Sequence, residues 1–174
     1  MKTAVSAAIA LCLAIGFAFG ADDKAKDEYA NGVSEFRQKH NAQKAIEYFD
    51  RAIKLDPKYA LAYHNRALAY YDLGEYESAA NDFSKAIALE ANNVAAYANR
   101  ALVYLDVGEY EKALADCDEA VKLNPNYAEG YNNRAVIYAA MKDYKSATKD
   151  AKRACELGVC RFFDTLEAGG ELVD

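Results

Sequence analysis

Residue types recur every 34 positions along most of this chain. The stretch YHNRALAYYDLGEYESA, which begins at Tyr63, is followed 34 residues later by YANRALVYLDVGEYEKA and after a further 34 by YNNRAVIYAAMKDYKSA. A repeat of this length is typical of chains in which one supersecondary unit stacks on the next. Each unit buries its apolar face against its neighbours, so the pattern favours an elongated stack over a single closed core.

The period divides the chain into four units, and we number positions from the first residue of each. The units are 26–59, 60–93, 94–127 and 128–161. In the second unit, apolar residues follow a helical spacing along 60–73 and again along 76–89. Gly74 suits the left-handed residue that follows a helix end, and Pro57 and Pro125 at position 32 stop second helices. The sequence therefore predicts an all-α fold built from helix pairs.

Small and aromatic side chains keep fixed places in every unit. An aromatic residue stands at positions four and eleven, alanine at positions 20 and 27, and leucine at position 30. This set of residues resembles the tetratricopeptide repeat (TPR) family, whose pattern is an aromatic residue, a Leu-Gly pair, Tyr, Ala, Phe, Ala and Pro at these offsets. The resemblance covers residues 26–161 in one register.

The resemblance implies a right-handed α-solenoid of four helix hairpins, in which the first helix of each hairpin lines a concave groove. Segment 162–174 is expected to be a short capping helix and a tail, with Phe162, Phe163 and Leu166 covering the last repeat. Two features depart from the family pattern. The first unit has KHNAQ in place of the turn sequences GEYE and KDYK, and positions seven and eight are Arg-Ala in three units where the family usually has Leu-Gly.

Positions seven and 23 change together among the units. Units two to four have arginine at position seven and aspartate at position 23, whereas the first unit has Gly32 and Tyr48. Since charged residues on a packed face usually need partners, we predict an ion pair within each of these repeats. The predicted pairs are Arg66 with Asp82, Arg100 with Asp116, and Arg134 with Asp150. The alternative is that the residues are separately solvated and are shared because the units are recent copies.

Position six is asparagine in all four units. The residues are Asn31, Asn65, Asn99 and Asn133. The resemblance implies that this position faces the groove, where a side-chain amide can donate to and accept from a peptide backbone. A column of asparagines would then bind an extended peptide with little demand on its sequence. The alternative is that each asparagine hydrogen-bonds locally to the adjacent helix.

An apolar strip is expected beside the asparagines, at positions nine and twelve, with a histidine at position five. The candidate residues are His64, Leu68, Tyr71, Leu102, Leu105 and Val136. Such a strip favours a partner segment with apolar anchor residues. For Leu68 and Leu102 in particular, packing between repeats is the alternative.

Some TPR domains clamp the acidic C-terminal tails of cytosolic chaperones, and this chain does not match their pattern. In that pattern, lysine and asparagine stand at positions five and nine, asparagine at six of the next repeat, and lysine and arginine at two and six of the third. The corresponding residues here are Ala30, Ser34, Asn65, Ala95 and Asn99. Only one asparagine matches, so we expect no clamp of this kind.

The first twenty residues predict a secretory signal peptide. Lys2 is followed by an uncharged run along 3–20, and the charged stretch ADDKAKDE comes directly after it. This order of basic, apolar and small residues favours cleavage after Gly20, with 21–25 as a lead-in to the repeats. The alternative is an uncleaved membrane anchor, in which case the membrane is also a partner. We expect export, to a bacterial periplasm first, with secretion or anchoring as alternatives.

Cys155 and Cys160 frame the sequence CELGVC near the end of the repeats. Outside the cytosol a disulfide between them is permitted, and Gly158 would end the helix so that the two residues can approach. Two free thiols or half a metal site are the alternatives. No further cysteine or histidine lies nearby in sequence, so we predict no metal site.

Charge and the lack of catalytic motifs indicate the class of function. The formal net charge is −6, which argues against a nucleic-acid partner because phosphate binding needs a basic face. No nucleophile–base motif or Gly-rich phosphate loop is present, and no cofactor is expected. We therefore predict a non-enzymatic scaffold, monomeric or weakly homo-oligomeric, that binds a segment of another protein. The alternatives are a thiol-redox or metal-handling protein that uses Cys155 and Cys160, and a self-assembling repeat domain.

Overall fold

The computed structural model describes residues 23–169, which form nine helices and no strand. The helices are α1 (23–37), α2 (Ala42–Leu55), α3 (Ala60–Asp72), α4 (Tyr76–Leu89), α5 (Val94–Asp106), α6 (Tyr110–Leu123), α7 (Ala128–Ala140), α8 (Tyr144–Glu156) and α9 (Arg161–Gly169). The predicted signal peptide, 1–20, and the tail after Gly169 lie outside the described residues. Within those residues, no helix combines the length and the apolar character needed to cross a membrane.

The helices pair in chain order, and the pairs stack. Units two to four form the hairpins α3–α4, α5–α6 and α7–α8, and the helices α2, α4 and α6 each pack against the first helix of the following unit. The first helices α3, α5 and α7 also contact one another, so they form a continuous row along the stack. The predicted all-α repeat solenoid is confirmed.

A left-handed residue at position 15 connects the two helices of every unit. Gly74 and Gly108 take this position in the second and third units, with φ of +74° and +78°. His40 and Lys142 take it in the first and fourth, with φ of 51° and 65°. A residue with a Cβ is less favourable in this conformation than glycine. Because the turn is nevertheless kept, helix packing rather than the turn residue determines the hairpin.

Two helices extend beyond the bounds that the repeat pattern predicts. Residues 21–25 were expected to be a lead-in, but α1 is already helical at residue 23 and Ala25 is fully buried. Helix α9 begins at Arg161, one residue before the predicted cap. The period marks where units repeat, whereas helix ends depend on local propensity, and the Asp, Lys and Ala residues before the first unit permit a longer helix.

Alanines allow the helices to approach closely in the core. The alanines at positions 20 and 27 are all 0% exposed. They are Ala45, Ala79, Ala113 and Ala147, and Ala52, Ala86, Ala120 and Ala154. Larger side chains fill the space between repeats. Phe83 at position 24 shares a buried cluster with Val103 of the next unit, and Cys117 at the same position shares one with the larger Ile137.

The capping helix α9 completes this series at the C-terminal end. Ala151, the position-24 residue of the last unit, shares a buried cluster with Leu166 of α9, which is 1% exposed. Phe162 and Phe163 pack against the same cluster, as the sequence predicts. As the residue at position 24 becomes smaller from repeat to repeat, the side chain that packs beside it becomes larger, so the interior stays filled.

Candidate functional site

Three arginines each join the two helices of their own repeat. In the third unit, Arg100 Nε lies 2.8 Å from Asp116 Oδ2, and Arg100 Nη2 lies 2.7 Å from Asp116 Oδ1. The same bidentate arrangement joins Arg66 with Asp82 and Arg134 with Asp150. The hydrogen bonds that Arg100 donates to Asp116 hold the pKa of Arg100 above its ordinary value, although burial acts against this shift. The structure thus brings together the residues that change together among the units.

Aromatic rings and buried carboxylates surround these guanidinium groups. Arg100 Cζ lies 5.8 Å from the ring centroid of Tyr97 and 5.7 Å from that of Tyr104, the aromatic residues at positions four and eleven. Asp116 is 6% exposed. Since the pair is held between the two helices, away from the open row of first helices, it belongs to the fold and is not available to a ligand.

Each of these arginines also reaches back to the preceding repeat. Arg66 Nη1 donates to Asp50 Oδ1 at 2.5 Å, and Arg100 Nη1 donates to Ser84 Oγ at 2.7 Å. The third contact of this kind joins Arg134 Nη1 to Asp118 Oδ1 at 2.6 Å. Sequence analysis missed these contacts, which all use position 25 of the earlier unit. The signal was weak because that position is aspartate in only two of the three.

The asparagine of the second repeat is part of the interior and not of an open groove. Asn65 is 5% exposed, and its Nδ2 donates to Tyr29 Oη at 2.9 Å and to the Leu61 carbonyl at 3.0 Å. Both amide hydrogens therefore have partners within the protein. This corrects the expectation that Asn65 grips a peptide backbone, and it favours the alternative of a local hydrogen bond to the adjacent first helix.

Two of the other three position-six asparagines make local contacts, and the third is exposed. Asn133 Nδ2 donates to the Ala98 carbonyl at 3.3 Å, and Asn99 Nδ2 lies 3.4 Å from His64 Nε2. Both asparagines are half-buried, whereas Asn31 is exposed. In the second, third and fourth repeats the asparagine thus contacts the first helix of the preceding repeat. These amides help to align the row of first helices, and a ligand role for Asn99, Asn133 and Asn31 stays a prediction.

His64 faces the interior between repeats more than the row of first helices. Its ring meets the ring of Phe83 edge-on at a centroid distance of 5.3 Å. Burial, together with the positive charge of Arg37, holds the pKa of His64 below its ordinary value, and its Nδ1 is buried without a hydrogen bond. His64 therefore takes part in packing between repeats, and its place as a groove contact stays a prediction.

Three residues of the predicted apolar strip lie at the same position of α3, α5 and α7. Leu68, Leu102 and Val136, 34 residues apart at position nine, are all half-buried. Leu68 packs partly against the buried cluster around Phe83, so its expected alternative role between repeats applies to part of its surface. Because the three side chains recur on successive first helices that contact one another, they lie in register along one face.

Tyr71 and Leu105, the strip residues at position twelve, lie beside a polar bridge. Tyr71 Oη donates to Asp106 Oδ2 at 2.5 Å, which joins the ends of α3 and α5. Burial and this carboxylate raise the pKa of Tyr71 above its ordinary value. Leu105 is half-buried against the cluster that contains Cys117. Tyr71 thus presents its ring on the strip while its hydroxyl group is used for contact between repeats.

A disulfide joins the last repeat to its cap. Cys155 and Cys160 are bonded, with their Cα atoms 4.0 Å apart, and Gly158 between them has a φ of +98° where α8 ends. The bond therefore connects the end of α8 to the start of α9, as the spacing predicts. Cys117 is a free, buried cysteine in the described part of the chain. No group of three metal-binding side chains occurs among the described residues.

Comparison with known families identifies the repeat to which this architecture belongs. Models described as tetratricopeptide repeat match residues 36–103, 94–127 and 117–149, so they run without a gap from 36 to 149. The match at 94–127 coincides with the third unit of the sequence pattern. All three models carry the same family description, and they reach every one of the four units.

Two solved structures share the same fold, and one further protein is similar in sequence. A crystal structure of MamA superposes with a TM-score of 0.71 at 25% identity, covering 77% of this chain and 78% of that one. The first TPR of Spaghetti (RPAP3), bound to the HSP90 peptide SRMEEVD, superposes with a TM-score of 0.67 at 27% identity, covering 70% of this chain and 95% of that one. An uncharacterized protein of Methanocaldococcus jannaschii is 48% identical over 56 residues, which are 32% of this chain and 64% of the relative's length.

Proposed function

Because the chain belongs to the tetratricopeptide repeat family, whose members are generally non-enzymatic scaffolds for protein–protein interaction, we propose that it holds a segment of an envelope protein along its row of first helices. The segment is extended or helical and contributes apolar anchor residues. The observation that carries this proposal is the register of Leu68, Leu102 and Val136 on α3, α5 and α7.

The strip supports binding because it is apolar and partly open to water. A partner that covers it removes apolar surface from water, at about 25 cal/mol per Å². Anchors spaced to match successive first helices would contact Leu68, Leu102 and Val136 in turn. The half-buried Asn99 and Asn133 stand next to this strip, where the carbonyl oxygens of their amides can accept from a partner's backbone.

The partner segment is not an acidic chaperone tail. The RPAP3 domain that resembles this chain is bound to the HSP90 peptide SRMEEVD, which has three acidic residues. Here Ala30 and Ala95 stand where the clamp pattern has lysine, and the exposed carboxylate groups of Asp72 and Asp106 lie at the ends of α3 and α5. Like charges oppose each other across such an interface. The charge pattern favours a partner that is neutral or basic near Asp72 and Asp106.

Two observations support a location in the cell envelope. Residues 1–20 have the order of a signal peptide, and the Cys155–Cys160 disulfide suits an oxidising compartment. The location is tested by expressing the full-length gene in the source cell and measuring the mass of the product. A product that begins at Ala21 in an envelope fraction supports export with cleavage. A full-length product in the cytosol contradicts it.

The groove is tested by a matched pair of double variants. Leu102→Glu with Val136→Glu places charge on the strip, and Leu55→Glu with Leu123→Glu places the same charge on second helices, at residues 39% and 37% exposed. Each protein is purified from the envelope after in-cell crosslinking, once circular dichroism shows equal helicity. We expect the crosslinked partner to be retained by the second variant and lost from the first. Equal retention by both variants would mean that the partner does not bind along the row of first helices.

The same experiment separates the alternatives. If crosslinking instead yields a mixed disulfide that depends on Cys155 and Cys160, the chain is a thiol-redox protein. If it yields only homo-oligomers, the chain is a self-assembling repeat domain. The cap formed by Leu166 and Phe162 argues against self-assembly through the C-terminal end, because it covers the apolar face of the last described repeat.

A further inference from the structure

A cavity of about 360 Å³ lies between the second and third repeats. It is formed by the first two turns of α4, the end of α5 and the beginning of α6. The residues that matter for its shape are Tyr76, Ala80, Val103, Tyr104, Val107 and Glu109. The cavity therefore opens at the edge of the stack where the two helices of each hairpin are joined.

One small residue widens the cavity. Position 21 of the unit is Ile46 in the first repeat, Leu114 in the third and Thr148 in the fourth, but Ala80 in the second. Because Ala80 lines the cavity, a larger side chain at residue 80 would take up part of the space that is open here.

The walls and the size of the cavity suit a single bulky apolar side chain. Val107 is 47% exposed and Tyr76 is 36% exposed at its mouth, whereas Val103 at its base is 1% exposed. Pockets for drug-sized ligands span about 300–1,000 Å³, so this cavity is at the small end. A Phe, Leu or Met anchor from a partner would bury apolar surface on both sides of the mouth.

The two chain segments beside the cavity are acidic. Segments 72–77 and 106–112 contain six carboxylate residues and one lysine, and of these Glu77, Glu109 and Lys112 line the cavity itself. The carboxylate residues are Asp72, Glu75, Glu77, Asp106, Glu109 and Glu111. The lysine, Lys112, is paired with Glu109 at 2.7 Å and offsets the charge of that carboxylate, which leaves five carboxylate residues in excess. A rim of one charge sign attracts a partner of the opposite sign and discriminates against others.

We propose that this cavity is a second docking site, which takes one bulky apolar side chain from a protein segment that carries lysine or arginine on both sides of that anchor. The apolar wall selects the anchor, and the carboxylate groups select the flanking residues. The cavity is also lined by α4 and α6, which carry no residue of the apolar strip, so a scaffold of this kind would hold two segments at once. The proposal does not depend on the occupancy of the apolar strip.

The test is a selection of random displayed peptides on the purified product of the full-length gene. The selected peptides are synthesised without any counter-selection, and their affinity for the unchanged chain and for the Ala80→Leu variant is measured by fluorescence anisotropy. Leucine occupies this position in the third repeat and takes up part of the cavity. The matched control is Ala115→Leu, which makes the same change at an exposed position of α6.

We expect selected peptides to share one Phe, Leu or Met flanked by basic residues. Ala80→Leu should weaken their binding by about tenfold or more, as filling an anchor pocket does, while Ala115→Leu leaves it unchanged. Glu77→Lys should weaken binding less, and the loss should shrink in high salt. Replacing the anchor in the peptide by alanine should abolish binding.

Four results would overturn the proposal. The first two are a selection that returns no peptide whose binding depends on Ala80 and a selection that returns peptides without basic residues, since either removes the proposed occupant. A third result is self-association of the chain that is abolished by Ala80→Leu, which would make a second copy the occupant. Variants of Leu102 and Val136 should leave this binding intact, and a loss in them would assign the peptide to the strip instead.

Discussion

The first repeat and the three that follow close the same gap between their helices in different ways. In the first repeat, Gly32 lies against the ring of Phe49, and a Cβ added to Gly32 would be 2.6 Å from Phe49 Cε1. In the later repeats, an arginine fills this place and binds the aspartate of the facing helix. One hairpin geometry is thus compatible with an apolar contact or a buried ion pair.

The difference follows from what each arginine reaches. Arg66, Arg100 and Arg134 contact both their own repeat and position 25 of the repeat before it. The described residues include no second helix before the first repeat. An arginine at position seven of the first repeat would therefore lack the position-25 partner that the other arginines have. The comparison indicates that the arginines fix the register between repeats, whereas closing a hairpin needs only close packing. Replacing a buried pair with apolar residues is often neutral, which agrees with this division.

Removing one member of a buried pair should have the largest effect. Asp116→Ala leaves the guanidinium of Arg100 buried without its bidentate partner, and we expect a loss of about 3–5 kcal/mol in the free energy of unfolding. Urea unfolding followed by circular dichroism measures it. The double variant Arg100→Met with Asp116→Leu should recover most of this loss, because no unpaired charge remains. A double variant as unstable as Asp116→Ala would mean that the pair is required, and that the first repeat is stable for another reason.

Filling the gap in the first repeat should have a smaller effect. Gly32→Ala forces the ring of Phe49 to move, and overpacking of this kind costs about 1–3 kcal/mol. The matched control is Gly130→Ala in α7, where the added Cβ would lie 3.0 Å from Val121 Cγ1 and 3.2 Å from Tyr127 Cδ1. There the helix propensity gained from alanine, about 1 kcal/mol, offsets the closer contact. Equal destabilisation by both variants would show that Gly32 has no special relation to Phe49.

Position 24 is Phe49 in the first repeat, whereas it is Cys117, a free thiol, in the third. Burial raises the pKa of the Cys117 thiol to about 12 from its ordinary value of 9.0. The stability from this protonated thiol is complete below pH 9.0 and is lost as the pH rises toward about 12, because only the unfolded chain ionises at first. We expect the free energy of unfolding to fall by about 1 kcal/mol between pH 8 and 9.5.

The control for this titration is Cys117→Ala. In both proteins the other cysteines are replaced by alanine, so that the thiolate cannot exchange with the Cys155–Cys160 disulfide. The alanine variant should show a flatter pH dependence over this range, in which tyrosines of the unfolded chain are still mostly protonated. Identical curves for the two proteins would mean that the site is open enough to water for the thiol to ionise while the protein is folded.

The fold was predictable from the sequence because the same residue pattern recurs in four units. Every unit has alanine at positions 20 and 27 and an aromatic residue at positions four and eleven. The first unit lacks both the arginine and the aspartate that the other three units share. The pairing of Arg66 with Asp82 followed from that comparison. Where one unit departs alone, as with Ala80 in place of a branched residue, the pattern does not say whether the space is filled or open.

The groove was harder to predict because repetition does not separate packing from binding. Asn65, Asn99 and Asn133 recur as faithfully as the core alanines, and the structure shows each of them in contact with the preceding first helix. Asn65 is buried because Tyr29 and the Leu61 carbonyl lie within reach of its amide, and neither contact follows from helical periodicity. A residue that faces a neighbouring repeat and one that faces a ligand have the same spacing in sequence.

The third contact of each arginine leads to the smallest expected effect. Position 25 holds an aspartate before Arg66 and before Arg134, but Ser84 before Arg100, so the middle junction lacks one charge. Ser84→Asp should add a partly exposed ion pair between the second and third repeats, worth roughly 0.5 kcal/mol at low salt. The control, Ser84→Asn, has nearly the same shape without the charge. If the arginines fix the register between repeats, the gain from aspartate should exceed that from asparagine and disappear in high salt. A gain that is equal for both, or that persists in salt, would assign the effect to helix propensity or shape, and Arg100 would then act only within its own hairpin.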